Sequence, residues 1–135
     1  MSLVVNVASQ WGYTDRDYKE LNQLHKRFSP TQFSILAFPC NSFGGQEPGD
    51  VNDITAFTTG YQVQFDMFEK CVVRGGKAHP VFKFLSKAAG EKPSWNFCKY
   101  LVAPNGKDVT FFDSKVSPLS LAPKIEALLK AHTEL

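Results

Sequence analysis

A strand–helix–strand pattern at the start of the chain constrains the fold more than any other feature of the sequence. The apolar, β-branched run at residues 3–8 predicts a buried strand, and the run at residues 33–38 predicts a second. Between them, apolar residues recur at helical spacing behind Thr14, which forms a predicted capping box with Asp17. Two buried strands joined by a helix are parallel, with a right-handed crossover. The chain therefore begins with a predicted βαβ unit.

The rest of the chain contains further helical and strand-like segments that complete a layered fold. The predicted segments are a Gly- and Pro-rich loop at 39–49, a helix capped by Asp50, weak strands at 65–68 and 71–73, a helix begun by His79 and closed by Gly90, strands at 97–102 and 109–112 around a turn at 104–106, and a last helix that starts near Ser117 or Ser120. A βαβ half followed by a ββα half predicts a thioredoxin-like three-layer α/β/α fold with a central mixed sheet. We expect a single domain over residues 1–135.

Composition excludes several classes of protein. A chain of 135 residues with 43% hydrophobic residues can bury one core, and its net charge of +2 gives no reason to expect a nucleic-acid partner. No apolar run approaches the about 20 residues of a membrane span. The three cysteines form no C-x-x-C pair and, with the three histidines, no zinc-binding spacing.

Charge is unevenly distributed along the chain. Residues 41–69 contain five acids and no Lys or Arg. The next segment is basic, with Glu91 as its one acid, and its cations are Lys70, Arg74, Lys77, Lys83, Lys87, Lys92 and Lys99. A basic edge attracts anionic substrates or a lipid surface, so peripheral lipid contact is one interpretation and an ordinary solvated face is the other.

Three motifs, in this order, resemble those of the glutathione peroxidase family. Asn6-Val-Ala-Ser-Gln-Trp-Gly12 resembles the signature whose sixth residue is selenocysteine or cysteine, and the stretch 38–48 resembles the second motif, with Ser42 in place of its usual Gln. Trp95-Asn96-Phe97 resembles the third motif. The resemblance runs from the first strand to the last helix, and it is strongest to phospholipid-hydroperoxide and endoplasmic-reticulum members. It implies a thioredoxin-like fold that lacks the family's N-terminal hairpin.

The resemblance also implies a catalytic site of four residues: Trp11, Gln46, Trp95 and Asn96. Trp11 stands at the nucleophile position, where the N-terminal end of a helix favours an anion and lowers the pKa of a thiol or selenol. In the family, that anion attacks the O–O bond, and the sulfenic or selenenic acid formed is reduced by thiols. Side chains equivalent to Gln46, Trp95 and Asn96 donate hydrogen bonds to the reacting groups. We expect these residues, ordinary loop or core residues if taken singly, to converge at the first helix.

The implied function is reduction of hydrogen peroxide and organic or lipid hydroperoxides, with no cofactor or metal. The reductant is glutathione or a thiol of the protein disulfide isomerase type, because Thr58 stands where thioredoxin-dependent members carry a resolving cysteine. The short stretch at 88–92 lacks the loop through which tetrameric members associate, which predicts a monomer.

Trp11 departs from the family pattern, since an indole has neither an accessible anion nor thiol chemistry. Three explanations stay open. The native residue is selenocysteine, encoded by UGA, and tryptophan was introduced by design or by a misread gene; or the protein is an inactive binding module; or the sequence contains an error of another origin. A thioredoxin-type disulfide reductase is disfavoured because the chain has no C-x-x-C pair.

The last four residues, His132-Thr-Glu-Leu135, resemble an endoplasmic-reticulum retention signal. They predict the reticulum lumen, with a cytoplasmic or secreted protein as the alternative. Such a location requires a leader, and none is expected here because Met1 comes just before the first strand. The N-terminal hairpin that the family carries, missing here, suggests a truncated or incomplete sequence.

Overall fold

The computed structural model describes residues 1–28 and 30–133, Thr133 by its backbone alone. The elements in chain order are β1 (Ser2–Val7), α1 (Thr14–Arg27), β2 (Ser34–Pro39), α2 (Val51–Gly60), β3 (Asp66–Met67), α3 (Pro80–Ala89), β4 (Lys99–Val102), β5 (Val109–Phe112) and, after a 3₁₀ turn at Pro118–Leu121, α4 (Ala122–Thr133). In the described ranges no helix is long and apolar enough to cross a bilayer.

The five strands form one mixed sheet in the order β3-β2-β1-β4-β5. Strands β1, β2 and β3 run parallel, with Leu3 opposite Ile35, so the predicted βαβ unit is present. Strand β4 pairs antiparallel with β1 on its other side, and β5 pairs antiparallel with β4. The predicted α/β class with a central mixed sheet is therefore confirmed.

Helices cover both faces of this sheet because alternate strand residues point to opposite sides. On one face, Leu21 of α1 and Ile125 of α4 pack with the odd-numbered residues of β1, such as Val5. On the other face, Phe82 and its neighbours on α3 pack against the even-numbered Val4. The result is the predicted three-layer arrangement.

Local signals predicted some helix ends correctly and one incorrectly. Asp50 caps α2 through a capping box with Asp53, as expected. The capping box predicted for Thr14 and Asp17 is wrong, because Tyr13 occupies the cap position without a side-chain bond. The Thr14 hydroxyl instead donates to the Ala8 carbonyl (2.8 Å), so it stabilises the turn before the helix.

Two expectations from the sequence fail because of tertiary packing. Residues 71–73 form no strand, since the Cys71 N–H donates to the Pro39 carbonyl (2.9 Å) and the Val72 carbonyl accepts from His79 (2.8 Å) in a loop. Lys99 does not belong to the exposed basic edge, since its side chain is completely buried.

Candidate functional site

The chain topology brings three loops to one edge of the sheet. Strands β1 and β2 are parallel, so the turn after β1 and the loop after β2 leave at the same edge. Strand β4 is antiparallel to β1, so the segment just before β4 reaches that edge as well. These three segments contain position 11, Gln46 and the pair Trp95-Asn96.

Hydrogen bonds tie the three segments together. The Gln10 N–H donates to the Gln46 carbonyl (3.0 Å), which joins the first two loops. The Phe97 N–H donates to the Asn6 carbonyl (2.6 Å), and the Asn6 amide donates to the Trp95 carbonyl (2.8 Å). The asparagine that begins the first motif therefore fixes the third motif beside it.

Asn96 and Gln46 are in direct contact. The fully buried Asn96 Nδ2 donates to Gln46 Oε1 (2.6 Å) and to the Phe43 carbonyl (3.2 Å). Because the Gln46 oxygen accepts from Asn96, the NH₂ of Gln46 is free to donate to a substrate. In this arrangement Asn96 orients Gln46. Direct donation from Asn96 to the reacting groups, which the sequence predicted, would require Asn96 to give up one of these two hydrogen bonds.

Trp95 stands next to this pair, with 40% of its surface exposed. Its ring packs against Phe43, with centroids 5.7 Å apart. Gly44 adopts a φ of +70°, and a Cβ there would approach the Trp95 ring to 3.3 Å and Gln46 to 3.5 Å. Glycine therefore allows the loop backbone to pass between the two donor side chains.

Trp11 lies at the same end of the sheet as Gln46, Trp95 and Asn96. Its half-buried indole stacks on Phe97 (centroids 5.6 Å apart, interplanar angle 18°) and meets Tyr13 edge-on at 5.2 Å. The backbone N–H of Trp11 donates to the Thr14 hydroxyl (3.0 Å) at the beginning of α1. The structure thus groups Gln46, Trp95 and Asn96, and links Trp11 to them through Phe97 and Gln10.

A buried carboxyl group is hydrogen-bonded to the turn before position 11. The Glu47 Oε1 accepts from the Ser9 N–H (3.1 Å) and from the Ser9 hydroxyl (2.5 Å), whereas Oε2 is buried without a partner. Burial raises the pKa of Glu47, and the bonds from Ser9 and the charge of Lys70 oppose that rise. The site therefore has an acid whose neutral form is favoured by its surroundings.

None of the three cysteines takes the place of a nucleophile at position 11. Cys40 and Cys98 are buried, and all three thiols are free. Burial, with a contribution from the nearby Cys40, raises the pKa of Cys71 to about 11. Such a thiol is protonated at neutral pH and is a poor nucleophile. Among residues 1–28 and 30–133, no three His, Cys, Asp or Glu side chains lie together as metal ligands would.

Sequence analysis assigned no role to three residues of this region: Glu47, Phe97 and Lys99. Lys99 had a detectable signal, because its strand position shares a face with Leu101, a core residue. The left-handed backbone of Phe97 (φ +57°) had none, since a bulky residue rarely adopts it.

Comparison with known proteins gives consistent matches over nearly the whole chain. The family model for Glutathione peroxidase matches residues 1–86, which include Trp11 and Gln46 but not Trp95 and Asn96. The chain is 50% identical over 131 residues to Glutathione peroxidase 7 of Homo sapiens, covering 96% of this chain and 70% of that protein. It is 43% identical over 132 residues to a Probable phospholipid hydroperoxide glutathione peroxidase of Helianthus annuus, covering 94% and 73%.

Solved structures agree with these matches. A crystal structure of T. cruzi GPX1 is 30% identical, with a TM-score of 0.73, and the match covers 96% of this chain and 81% of that one. A Thioredoxin-like superfamily protein at 15% identity has a TM-score of 0.68 over 95% of this chain and 79% of its own. At that identity the likeness concerns the fold alone, and it confirms the thioredoxin-like architecture.

Proposed function

This chain belongs to the glutathione peroxidase family of oxidoreductases that act on peroxide, and from that premise we propose that peroxide is reduced at position 11. Gln46 and Trp95 serve as hydrogen-bond donors, and Asn96 holds Gln46 in place. The observation that carries the proposal is the Asn96–Gln46 hydrogen bond of 2.6 Å, which leaves the amide NH₂ of Gln46 to donate, in a loop whose backbone is bonded to Gln10 of the turn before α1. Donors fixed in advance are a large contribution to catalysis.

The reaction needs a thiolate or selenolate at position 11. That anion attacks one peroxide oxygen, the O–O bond breaks, and the other oxygen takes a proton and leaves as water or an alcohol. A first thiol condenses with the sulfenic or selenenic acid, releasing water and forming a mixed disulfide or its selenium analogue. A second thiol releases the disulfide product and restores the nucleophile. No cofactor takes part.

Trp11 cannot perform this chemistry, so the native residue of the active form is selenocysteine or cysteine. Reading the codon at position 11 in the natural gene, with any downstream selenocysteine-insertion element, distinguishes the two. The alternative function is an inactive binding protein. One observation favours it: the Trp11 indole is well accommodated, stacked on Phe97 and packed against Tyr13.

The test compares Trp11→Cys with Trp11→Ser, a matched variant of almost the same size without a thiol. We expect Trp11→Cys, but not Trp11→Ser, to consume hydrogen peroxide in the presence of glutathione. Adding Gln46→Leu to the cysteine variant should lower kcat by about 10²–10³, as removal of one fixed donor does. If the cysteine variant is no faster than the serine variant, peroxide reduction at position 11 is refuted and the binding protein is favoured.

The reductant is an external thiol, either glutathione or a protein of the disulfide isomerase type. The support is Thr58, which is buried in α2 and offers no sulfur to resolve an oxidised intermediate. Measuring turnover of the cysteine variant with glutathione and with reduced protein disulfide isomerase identifies the better donor. If neither thiol supports turnover of the cysteine variant, this part of the proposal is contradicted.

The protein acts as a monomer in the reticulum lumen, and it contacts lipid peripherally. The tail His132-Thr-Glu-Leu135 supports the location, although Glu134 and Leu135 lie outside the described residues. Arg74, Lys87 and Lys92 support lipid contact, because they line a cavity of about 290 Å³ beside α3. Flotation with anionic and neutral vesicles tests the lipid contact, and binding to neither would refute it.

A further inference from the structure

Lys99 is a buried lysine that sequence analysis placed on the surface. It lies on β4 opposite Val5, and none of its side chain is exposed. Its ammonium nitrogen donates to two backbone carbonyls, that of Phe97 at 2.6 Å and that of Asp113 at 3.2 Å. A lysine is almost never fully buried unless its charged group is paired.

The charge of Lys99 is balanced at a distance. No described carboxylate lies within 4 Å of its nitrogen, but it interacts electrostatically with the buried Asp17 of α1, which pairs with Arg16 through one oxygen and has the other without a partner. Burial lowers the pKa of Lys99 to about 8, and Asp17 opposes this shift most strongly. The other ionisable groups that act on Lys99 are Cys98, Arg16 and Asp113. The lysine is thus mostly charged at neutral pH and loses its proton just above it.

Phe97 is the residue whose backbone Lys99 holds. Its φ of +57° is strained for a residue with a Cβ, so surrounding contacts must maintain it. Both of its backbone polar groups are engaged: the N–H donates to Asn6 and the carbonyl accepts from Lys99. The side chain leaving this turn is the ring that stacks on residue 11, and the preceding residue is Asn96.

We propose that Lys99 is a positioning residue of the peroxidase site: its ammonium holds the left-handed turn at Phe97, and thereby fixes the ring beneath position 11 and the Asn96 amide against Gln46. The catalytic meaning of this proposal rests on the proposed function. The geometric part stands by itself, because it concerns how firmly residue 11 is held.

The first test reads the position of residue 11 without any activity. In a Trp95→Phe background, Trp11 is the one remaining tryptophan, and acrylamide quenching of its fluorescence reports its exposure. We expect Lys99→Met to raise the quenching constant at least about twofold. The matched control is Lys124→Met, which removes an exposed lysine that lies 5.4 Å from the ring of Phe112. Equal quenching in the Lys99→Met variant and its parent would overturn the proposal.

The second test uses pH. Charge-assisted hydrogen bonds are roughly twice as strong as neutral ones, so loss of the Lys99 proton should loosen the turn. Trp11 quenching should therefore rise with a midpoint near pH 8, and Lys99→Met should remove this rise. A guanidinium keeps its charge over this pH range, so Lys99→Arg should also remove the rise in quenching. If Lys99→Met does not fold, the titration of the Lys99 parent decides, and a flat profile refutes the proposal.

Stability should change in the opposite direction over the same pH range. The pKa of Lys99 is about 8 in the folded protein and 10.5 in its ordinary state, so the unfolded chain binds more protons between these values. The free energy of unfolding therefore rises with pH across this window, relative to Lys99→Met. These opposite directions separate a local loosening of the turn from a loss of the fold: if quenching rose while the free energy of unfolding fell over the same pH range, the exposure of Trp11 would come from unfolding, and positioning would be refuted.

The third test measures activity in the Trp11→Cys protein. We expect Lys99→Met to lower kcat/KM for hydrogen peroxide at least about tenfold, and Lys124→Met to leave it unchanged. If Trp11→Cys has no activity, the proposed function fails while quenching still tests the Lys99 geometry. If quenching responds to Lys99→Met but kcat/KM does not, the positioning role is refuted although the proposed function survives.

Discussion

The interface between the sheet and α3 differs from the edge of the sheet at which the three loops meet. At α3, Phe82 and Leu85 are buried among apolar side chains of the sheet. The polar group of Tyr100 there is satisfied, since its hydroxyl donates to the Glu91 carbonyl (2.5 Å) and pairs with Ser86 (3.2 Å). This face follows the ordinary rules for a stable core.

The loop edge breaks those rules repeatedly. Within the described ranges, the buried side-chain atoms without a partner all belong to this edge or to the first two turns of α1: Asn6 Oδ1, Arg16 Nη2, Asp17 Oδ2, the Tyr18 hydroxyl, Glu47 Oε2 and Asn96 Oδ1. Each such group costs stability, because its hydration is lost without replacement. The comparison indicates that packing at the apolar face stabilises the fold enough to offset the cost of holding unpartnered polar groups at the loop edge.

The largest expected change in stability comes from removing a core ring at α3. Phe82→Ala removes a fully buried side chain that contacts Phe38 and Tyr100, so the free energy of unfolding should fall by about 3–5 kcal/mol. Urea unfolding at pH 7 measures it. Trp11 quenching in the folded protein should not change, because the ring lies on the opposite face of the sheet. A change of less than 1 kcal/mol would show that this face is not the main source of stability.

A smaller effect of opposite sign is expected at the loop edge. Burial raises the pKa of Glu47, so the folded state binds its proton more tightly than the unfolded chain. As pH rises above 4.5 through the folded pKa, this group therefore costs stability, and the full cost is present at pH 7 if the folded pKa lies below 7. Glu47→Gln keeps an oxygen for Ser9 and removes the charge, which should stabilise the protein by about 1–2 kcal/mol at pH 7.

The control for Glu47→Gln is its own pH dependence. Near pH 4 the carboxyl group is protonated, so urea unfolding should give the same free energy for both proteins there. A variant that is less stable than its parent at pH 7 would mean that the ionised carboxylate, bonded to Ser9, is itself stabilising.

The smallest expected effect is at the cap of α2, which lies outside both regions. Asp50 accepts from the Asp53 N–H (2.9 Å) at an exposed helix end. Asp50→Ala should lower the free energy of unfolding by about 1 kcal/mol. Asp50→Ser, which retains a capping oxygen, serves as the control and should recover most of the loss. Equal losses in both variants would indicate a role for the charge rather than for the cap.

Prediction from sequence succeeded where neighbouring residues alone decide the structure. The Asp50 cap and the helix start at His79-Pro80 depend on groups within three residues of each other, and both are present. It failed where groups of the preceding turn competed for the same side chain. The Thr14 hydroxyl is used by Ala8 and the preceding turn instead of by Asp17.

The candidate site shows the same division. Its motifs predicted Trp11, Gln46, Trp95 and Asn96 as a group, and the contact between Asn96 and Gln46 agrees with that expectation. The roles of these residues stay predictions, to be tested by activity. The motifs did not predict that Asn96 would use its donors within the protein, because the positions of the Phe43 carbonyl and the Gln46 oxygen depend on two separate loops.

The amino-acid sequence by itself determined the βαβ start, the alternation of helix and strand, and the membership in a family of peroxide-reducing enzymes. These follow from periodicity, caps and contiguous motifs, which are local properties of the chain. Tertiary structure alone decided that Lys99 is buried and that Phe97 has a left-handed backbone. A buried ammonium and a left-handed backbone are each unfavourable alone, and they persist because segments far apart in sequence supply the carbonyls, the opposing Asp17 and the stacked rings that offset their cost.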